Sequence, residues 1–126
     1  MNNRSLLVVD DSATFRQLLC MSLARVDGIS SSNITEASDG AEAYNKVKER
    51  HFDLVLTDIN MPNMTGLEFL DKVRNELHQN ELPIIIITTK GADDDVNAGM
   101  QLGANGYLSK PVSMMQLKDL IKNYLK

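Results

Sequence analysis

Residues 52–66 read Phe-Asp-Leu-Val-Leu-Thr-Asp-Ile-Asn-Met-Pro-Asn-Met-Thr-Gly, and they predict a strand, a loop and the start of a helix. The apolar run before Asp58 fits a strand that is covered on both faces of its sheet. Thr65-Gly-Leu-Glu68 has the spacing of a capping box, which opens a helix. Because open α/β sheets bind ligands at the carboxyl ends of their strands, Asp58 is a candidate functional residue.

The rest of the chain repeats this alternation of strand and helix. Predicted strands cover residues 5–10, 29–37, 52–57, 83–88 and 106–109. The intervening segments carry apolar residues at helical spacing: Phe15, Leu18, Leu19, Leu23 and Val26; Ala43, Tyr44 and Val47; Leu67, Leu70, Val73 and Leu77; Leu117, Leu120, Ile121 and Tyr124. Such alternation predicts parallel βαβ units in one α/β sheet with helices on both faces.

Three local features refine these predictions. Gly28 is expected to end the first helix, and the polar second strand is expected at a sheet edge. The fourth helix, residues 93–102, is expected to be the least rigid because Gly99 lies in its interior. The methionines are expected to fill the core or its rim: Met61, Met64, Met100, Met114 and Met115.

Length, charge and composition limit the class of protein. A chain of 126 residues with 43% hydrophobic residues is expected to form one globular domain. Its net charge of −4 disfavours binding to nucleic acid or to an anionic membrane. The apolar runs are too short to span a bilayer, and the single cysteine, Cys20, is expected to be a buried thiol in a reducing compartment. These features indicate a cytoplasmic protein.

Polar side chains follow four of the predicted strands. Asp10 and Asp11 follow the first strand, Asp58 the third, Thr88 ends the fourth, and Lys110 follows the fifth. Carboxylates about 4 Å apart repel by roughly 4 kcal/mol per pair at an effective dielectric constant of about 20, so a cation is expected among them. Few oxygen ligands favour Mg²⁺, and Mg²⁺ beside a carboxylate nucleophile is typical of phosphoryl transfer.

Each of these residues also has a purely structural interpretation. Asp10 and Asp11 could cap the first helix, and Asp58 could be a turn residue. Thr88 could be an ordinary strand end, and Lys110 an ordinary surface lysine. The combination favours a common site, because complementary groups end separate strands at the same edge of one sheet.

The sequence resembles receiver domains of two-component signalling and, more narrowly, the stand-alone chemotaxis response regulators of the CheY type. The resemblance covers essentially the whole chain, 1–126, as a single receiver domain. It rests on Asp10-Asp-Ser12, Asp58-Ile-Asn-Met-Pro-Asn-Met-Thr-Gly66, Thr88-Thr89 and Gly106-Tyr-Leu-Ser-Lys-Pro111. It implies a doubly wound, flavodoxin-like (βα)5 fold with a five-stranded parallel sheet of order 2-1-3-4-5.

The resemblance also implies a role for each site residue. Asp58 would accept a phosphoryl group, and Thr88 and Lys110 would sense it. Asp10, Asp11 and Asp58 would organise Mg²⁺ with the backbone carbonyl of Asn60. Tyr107 would turn inward on activation, and the bond before Pro111 is expected to be cis. The domain would be a signalling protein that catalyses only its own phosphorylation and dephosphorylation.

The implied partners are a histidine kinase, of the chemotaxis CheA type, and an output partner such as a flagellar motor switch protein. A phosphatase is a further implied partner, and the protein is expected to be a monomer. The output partner would bind the face formed by the fourth helix, the last strand and the last helix. Two departures from the enteric pattern concern this region. Asp93, Asp94 and Asp95 replace lysines at the start of the fourth helix, and Lys90 occupies a position that influences phosphoryl lifetime.

Three alternatives stay open at this point. A phosphorelay intermediate would pass phosphate on to a histidine phosphotransfer domain. A phosphatase of the haloacid dehalogenase type needs Asp-x-Asp after the first strand, a spacing that Asp10-Asp11 lacks. A non-phosphorylated interaction module with a vestigial site would not be expected to retain all of Asp10, Asp11, Asp58, Thr88 and Lys110.

Overall fold

The computed structural model describes residues 4–89 and 92–125, so Lys90 lies outside the described residues. Within those ranges the elements are β1 (Leu6–Val9), α1 (Ala13–Leu23), β2 (Ile34–Ala37), α2 (Gly40–Glu49), β3 (Leu54–Thr57), α3 (Gly66–Asn75), β4 (Ile84–Thr88), α4 (Asp93–Gln101), β5 (Gly106–Ser109) and α5 (Met114–Tyr124). The strands form one parallel sheet of order β2-β1-β3-β4-β5. The predicted fold class and strand order are confirmed.

The sheet is covered by helices on both faces. Alternate residues of the buried strands point to opposite sides, so Leu7 and Val9 pack with α2 and α3, whereas Leu6 and Val8 pack with α1 and α5. Strands β1, β3 and β4 are buried along their whole length. This double coverage explains why their sequences are continuously apolar rather than alternating. No helix among the described residues is long and apolar enough to cross a membrane.

Two predicted boundaries were wrong. Helix α1 ends at Leu23, and the chain turns for several residues before Gly28, whose φ of +88° suits glycine. Strand β2 begins only at Ile34, because a 3₁₀ turn, Ser31–Asn33, precedes it. The Asn33 side chain accepts a hydrogen bond from the Ser30 N–H (2.8 Å), which closes that turn.

Several apolar side chains lie outside the core, contrary to prediction. Leu18 is 58% exposed, Met100 is 42% exposed and Met115 is 73% exposed, whereas Met61 is buried as expected. In every two turns of a helix only about three residues face the core, and Leu18, Met100 and Met115 lie outside that face. Cys20 is only half-buried rather than fully buried. Burial still raises the pKa of its thiol to about 11, so it stays protonated at neutral pH.

A buried arginine ties the end of α3 to the segment between α4 and β5. The Arg74 guanidinium donates to the carbonyls of Gln79 (2.6 Å) and Gly103 (2.8 Å) and to Asn105 Oδ1 (3.0 Å). Asn105 Oδ1 also accepts from the Ile84 N–H at the start of β4 (2.9 Å). These bonds satisfy the buried donors with neutral oxygens, and burial lowers the pKa of Arg74. The contact fixes the chain at the edge of the sheet opposite Asp58.

Candidate functional site: an acidic cluster at the carboxyl edge of the sheet

The three predicted acidic residues meet at the carboxyl ends of neighbouring strands. Strands β1 and β3 pair with Val9 opposite Thr57, and the Asp58 N–H donates to the Val9 carbonyl (2.9 Å). Asp10 follows β1 directly, and Asp11 is the next residue. One carboxylate oxygen from each of Asp10, Asp11 and Asp58 lies within 4.8 Å of the other two. The fold therefore brings together residues that are 48 positions apart in the sequence.

Local hydrogen bonds orient two of these carboxylates. Asp10 Oδ1 accepts from the Ser12 N–H (2.8 Å), and Asp58 Oδ1 accepts from the Ile59 N–H (2.7 Å). The cap of α1 is Ser12, whose hydroxyl accepts from the Phe15 N–H (3.3 Å), and not an aspartate. Helix capping therefore does not explain Asp10 and Asp11. The second oxygens of Asp10 and Asp58 face a shared space.

Among the described residues, Lys110 brings a positive charge to this space. Its Nζ lies 3.0 Å from Asp10 Oδ2 and 3.3 Å from Asp58 Oδ2. Lys110 directly follows β5, and its backbone N–H donates to the backbone carbonyl of Thr88 (2.7 Å), which places Thr88 beside it. The Lys110–Pro111 bond is cis, as the resemblance implied. Lys110 supplies one positive charge beside three carboxylates, and these oxygen ligands fit a hard divalent cation such as Mg²⁺.

The electrostatics of the cluster act in opposite directions on its members. Burial raises the pKa of Asp58, and the charge of Asp10 adds to that increase, while the Ile59 N–H and Lys110 oppose it. Burial lowers the pKa of Lys110, but the hydrogen bonds and charges of Asp10 and Asp58 outweigh burial and raise its pKa overall. The lysine is therefore charged at neutral pH. The raised pKa of Asp58 means that its surroundings disfavour the charged form, and a bound cation would reduce that cost.

The other predicted residues surround this centre at different depths. Thr88 ends β4 and is buried, with 3% exposure. Tyr107 lies on β5 with 53% of its surface exposed, so its ring is in an outward position. Asn60 lies in the loop after Asp58 and is exposed. These positions allow the predicted roles, which stay predictions.

Two neighbours of the cluster were not singled out from the sequence. The Phe15 ring lies over Lys110, with Nζ 4.2 Å from the ring centroid. The Arg16 guanidinium donates to the Asp10 carbonyl (2.6 Å) and to Glu36 (2.8 Å). Phe15 was assigned to the apolar face of α1, and only its position one turn after Asp11 hinted at the site. A cation–π contact of this kind stabilises the lysine in its present position.

The loop between β3 and α3 is held close to the acidic cluster. The Gly66 N–H donates to the Ile59 carbonyl (2.8 Å), which folds the loop back on itself. A Cβ atom at Gly66 would overlap the backbone carbonyl of Asp58. Helix α3 then begins with the predicted capping box, in which Thr65 and Glu68 exchange backbone and side-chain hydrogen bonds. Glycine at position 66 is therefore required by the close approach of α3 to Asp58.

Known proteins of similar sequence carry chemotaxis names. The chain is 37% identical over 121 residues to a chemotaxis protein CheY homolog of Campylobacter jejuni, covering 95% of this chain and 91% of the relative. It is 39% identical over 118 residues to chemotaxis protein CheY1 of Helicobacter pylori, covering 93% of each.

Solved structures and a family model give the same relationship. Chemotaxis protein CheY4 of Vibrio cholerae superposes with a TM-score of 0.83 at 33% identity, covering 96% of this chain and 98% of that one. A putative response regulator from Chloroflexus aurantiacus superposes with a TM-score of 0.86 at 30% identity, covering 97% of each. The model of the response regulator receiver domain matches residues 6–122. The chain belongs to the response regulator receiver domain family of two-component signalling.

Proposed function

We propose that the protein is a single-domain chemotaxis response regulator, which accepts a phosphoryl group on Asp58 from a histidine kinase. The observation that carries the proposal is the meeting of Asp10, Asp11, Asp58 and Lys110 at one edge of the sheet. The chemotaxis names of the relatives, each covered over more than nine-tenths of its length, support the cellular role. A domain of this kind acts as a signalling switch rather than as an enzyme with a separate substrate.

Mg²⁺ is the proposed cofactor, and the donor set fits it. Asp10, Asp11, Asp58 and the backbone carbonyl of Asn60 would hold the ion, since all four supply hard oxygen ligands. When bound, Mg²⁺ would neutralise negative charge on the transferred phosphoryl group. Lys110 already supplies one positive charge beside two of these carboxylates.

The hydrogen bonds around Asp58 support different tasks for its two oxygens. Oδ1 accepts from the Ile59 N–H and Oδ2 faces Lys110, so the proposed attacking oxygen is Oδ2. The P–N bond of the donor phosphohistidine breaks as the P–O bond to Asp58 Oδ2 forms, and the electron pair of the broken bond returns to the imidazole. Lys110 moves from Asp58 Oδ2 to a phosphoryl oxygen, where it acts as a point charge. The Thr88 hydroxyl donates a hydrogen bond to another phosphoryl oxygen.

For the output, the proposal links Thr88, which ends β4, to Tyr107, which lies on the neighbouring strand β5. Movement of Thr88 toward the phosphoryl group would vacate space, and the exposed Tyr107 ring would turn into it. The face formed by α4, β5 and α5 would thereby shift between two existing arrangements, and a partner that prefers the inward arrangement would bind more tightly. Because Asp93, Asp94 and Asp95 lie in the first turn of α4, we propose a partner with basic residues, such as a motor switch protein.

The assignment of Asp58 is tested by intact-mass spectrometry. Wild-type protein incubated with Mg²⁺ and a small phosphodonor is expected to gain one phosphoryl group, and Asp58→Asn is expected to gain none. Asp53→Asn is a matched control, because Asp53 precedes the same strand at the opposite edge of the sheet and should leave uptake unchanged. Phosphoryl uptake by Asp58→Asn at the wild-type rate would show that the acceptor is another residue.

The output partner is identified by affinity capture with and without beryllofluoride, a mimic of the phosphoryl group. A partner that is retained only with beryllofluoride and Mg²⁺, and whose retention falls as salt rises, supports the proposed acidic output surface. Joint replacement of Asp93, Asp94 and Asp95 by asparagine is expected to weaken this binding without slowing phosphorylation. Unchanged or stronger binding would mean that these aspartates serve only the dipole of α4.

A further inference from the structure

The loop that carries Asn60 is hydrogen-bonded to the start of α2. The Asn63 side-chain amide donates to Asp39 Oδ2 (2.7 Å), and the Gly40 N–H donates to the Met64 carbonyl (3.0 Å). Asp39 and Gly40 begin α2, which follows the edge strand β2. The β3–α3 loop is therefore held at its middle by the start of α2 and at its end by the hydrogen bond of Gly66.

The fastening depends on two local conformations. Asn63 has a φ of +66°, a left-handed backbone that asparagine tolerates better than most residues, and this conformation belongs to the turn from Pro62 to Met64. Gly40 is the second, because a Cβ atom there would overlap the Met64 carbonyl. The loop and the start of α2 thus approach as closely as their backbones permit.

Asp39 uses its two carboxylate oxygens for two different bonds. Oδ1 accepts from the Glu42 N–H (2.8 Å) and caps α2, whereas Oδ2 accepts from Asn63. The hydrogen bonds to the Glu42 N–H and to Asn63 lower the pKa of Asp39, so this acceptor is charged at neutral pH. The capping bond of Oδ1 fixes Asp39 at the start of α2, and the bond from Asn63 to Oδ2 holds the loop against this fixed side chain.

We propose that Asp39 and Asn63 are positioning residues for phosphorylation, which act by holding the β3–α3 loop where the Asn60 carbonyl can join the carboxylates in binding Mg²⁺. The inference rests on the proposed function. Asn63 is three residues from Asn60 and five from Asp58, so a displacement at Asn63 is transmitted along a short piece of backbone. Ile59 is buried at one end of that piece and Met61 lies within it as a second buried anchor.

The test separates the hydrogen bond from the charge and from the helix cap. Asn63→Gly keeps the left-handed backbone and removes the amide without changing the net charge. Asp39→Ser keeps a capping hydroxyl but removes the acceptor for Asn63, together with one charge. Asp39→Asn removes the same charge, yet it can restore the bond if the Asn63 amide rotates to accept instead of donate.

The measurement is the Kd of Mg²⁺ from isothermal titration calorimetry at 0.15 M salt, beside the melting temperature in EDTA. Asn63→Gly and Asp39→Ser are each expected to weaken Mg²⁺ binding by about threefold. The double variant is expected to weaken it by no more than that, because both substitutions remove the same hydrogen bond. Asp39→Asn is expected to bind within about twofold of wild type. Asn33→Ala is the control, since it removes the hydrogen bond from the Asn33 side-chain amide to the Arg4 carbonyl (2.8 Å) and the one that Asn33 accepts from the Ser30 N–H, both of them remote from the site.

The outcomes distinguish this inference from the proposed function. Wild-type Mg²⁺ affinity in Asn63→Gly and Asp39→Ser would overturn the positioning role, even if both variants melt at lower temperature. Equal weakening by Asp39→Asn and Asp39→Ser, with no effect of Asn63→Gly, would also overturn it and assign the effect to charge. Absence of Mg²⁺ binding and of a phosphoryl adduct in the wild-type protein would instead overturn the proposed function.

Discussion

Helices α3 and α4 both follow strands that end at the acidic cluster, yet they begin in very different ways. Helix α3 starts with a reciprocal capping box between Thr65 and Glu68 and with Gly66 packed against the Asp58 carbonyl. Helix α4 has Ala92 at its N-cap position, where alanine makes no side-chain cap, and it begins with Asp93, Asp94 and Asp95. The negative charges of the aspartates interact favourably with the positive end of the helix dipole, but near the surface this interaction stabilises a helix less than a side-chain cap does.

This difference separates the proposed acceptor side of the site, around Asp58, from the proposed responding side, which comprises Thr88 and α4. The loop after Asp58 is bonded at each end to another backbone or side chain, so Asp58 and its neighbours are held in place. Among the described residues, the start of α4 has no side-chain cap. A switch needs both properties, because a rigid acceptor fixes the chemistry while a weakly held element can shift at low cost.

The largest effect is expected for alanine at the start of α3. The Cβ of Gly66→Ala would meet backbone atoms of Asp58 and Ile59, which cannot rotate away as a side chain could. We expect a loss of about 3 kcal/mol or more in the free energy of unfolding, measured by urea denaturation, together with slower phosphorylation. A loss of less than about 1 kcal/mol would show that the acceptor side is more compliant than its contacts indicate.

Gly99→Ala is the matched variant on α4. Its Cβ would meet Cδ1 of Ile86, the far end of a flexible side chain, while alanine would add about 1 kcal/mol of helix propensity. We expect these effects to offset one another, leaving the free energy of unfolding within about 1 kcal/mol of wild type. A loss as large as that of Gly66→Ala would remove the contrast between the two helices.

The acidic cluster is expected to destabilise the acceptor side without metal. Folding raises the pKa of Asp58, so the folded protein binds this proton more tightly than the unfolded chain does. The ionised carboxyl therefore lowers the free energy of unfolding at pH values above the folded pKa. This destabilisation declines as pH falls through the folded pKa. In EDTA at pH 7, Asp58→Asn is expected to raise the free energy of unfolding by about 1 kcal/mol, and exposed Asp11→Ala by less. The gain of Asp58→Asn should shrink toward acid pH.

Calorimetric melting in EDTA measures both variants, and titration with Mg²⁺ supplies the second readout. Each variant is expected to lose the stabilisation that Mg²⁺ gives the wild-type protein. Lower stability of Asp58→Asn in EDTA would mean that its bonds to Ile59 and Lys110 outweigh burial and repulsion. Retained Mg²⁺ stabilisation in Asp11→Ala would remove Asp11 from the proposed ligand set.

The smallest effects concern the caps themselves. Thr65→Ala breaks the capping box and is expected to lower the free energy of unfolding by about 1 kcal/mol. Ala92→Ser gives α4 a hydroxyl cap and is expected to raise it by about 0.5 kcal/mol, while reducing the response of the output face to beryllofluoride. Chemical denaturation and partner capture measure the two effects. Equal and opposite changes would indicate that both starts are ordinary caps with no functional asymmetry.

The parallel α/β architecture and the placement of the acidic residues at one edge of the sheet were predictable because they depend on patterns along the chain, whereas the strand order was implied by the resemblance to receiver domains. Continuous apolar strands, capping boxes at Thr65 and Ser113, and polar residues at strand ends all have local signatures. Once the strands are parallel, their carboxyl ends must share an edge, so Asp10, Asp58 and Lys110 were expected at the same edge of the sheet. Their separations and hydrogen bonds required the structure.

What the sequence did not reveal depends on contacts between distant segments. Gly99 was interpreted as a weakness in α4, whereas the structure shows it buried against Ile86, where a side chain would not fit without movement. The bond between Asp39 and Asn63 joins residues 24 positions apart and has no periodic signature. Leu18 fits the apolar spacing of α1 but is exposed, because the spacing defines a stripe without saying how wide the covering sheet is.

The Arg74 contact defines where α4 would pivot in the proposed switch. At the carboxyl end of α4, the Leu102 and Ala104 N–H groups donate to carbonyls of the helix, and Arg74 binds the Gly103 carbonyl, so a movement of the helix start would turn about this end. Nine residues at about 1.5 Å each make an arm of roughly 13 Å, and a rotation of about 10° would carry its first turn roughly 2 Å. The displacement of the first turn at the binding surface would then depend on the length of α4, and the partner would respond to the rotation angle of the helix. Lengthening α4 by one turn would amplify the same rotation.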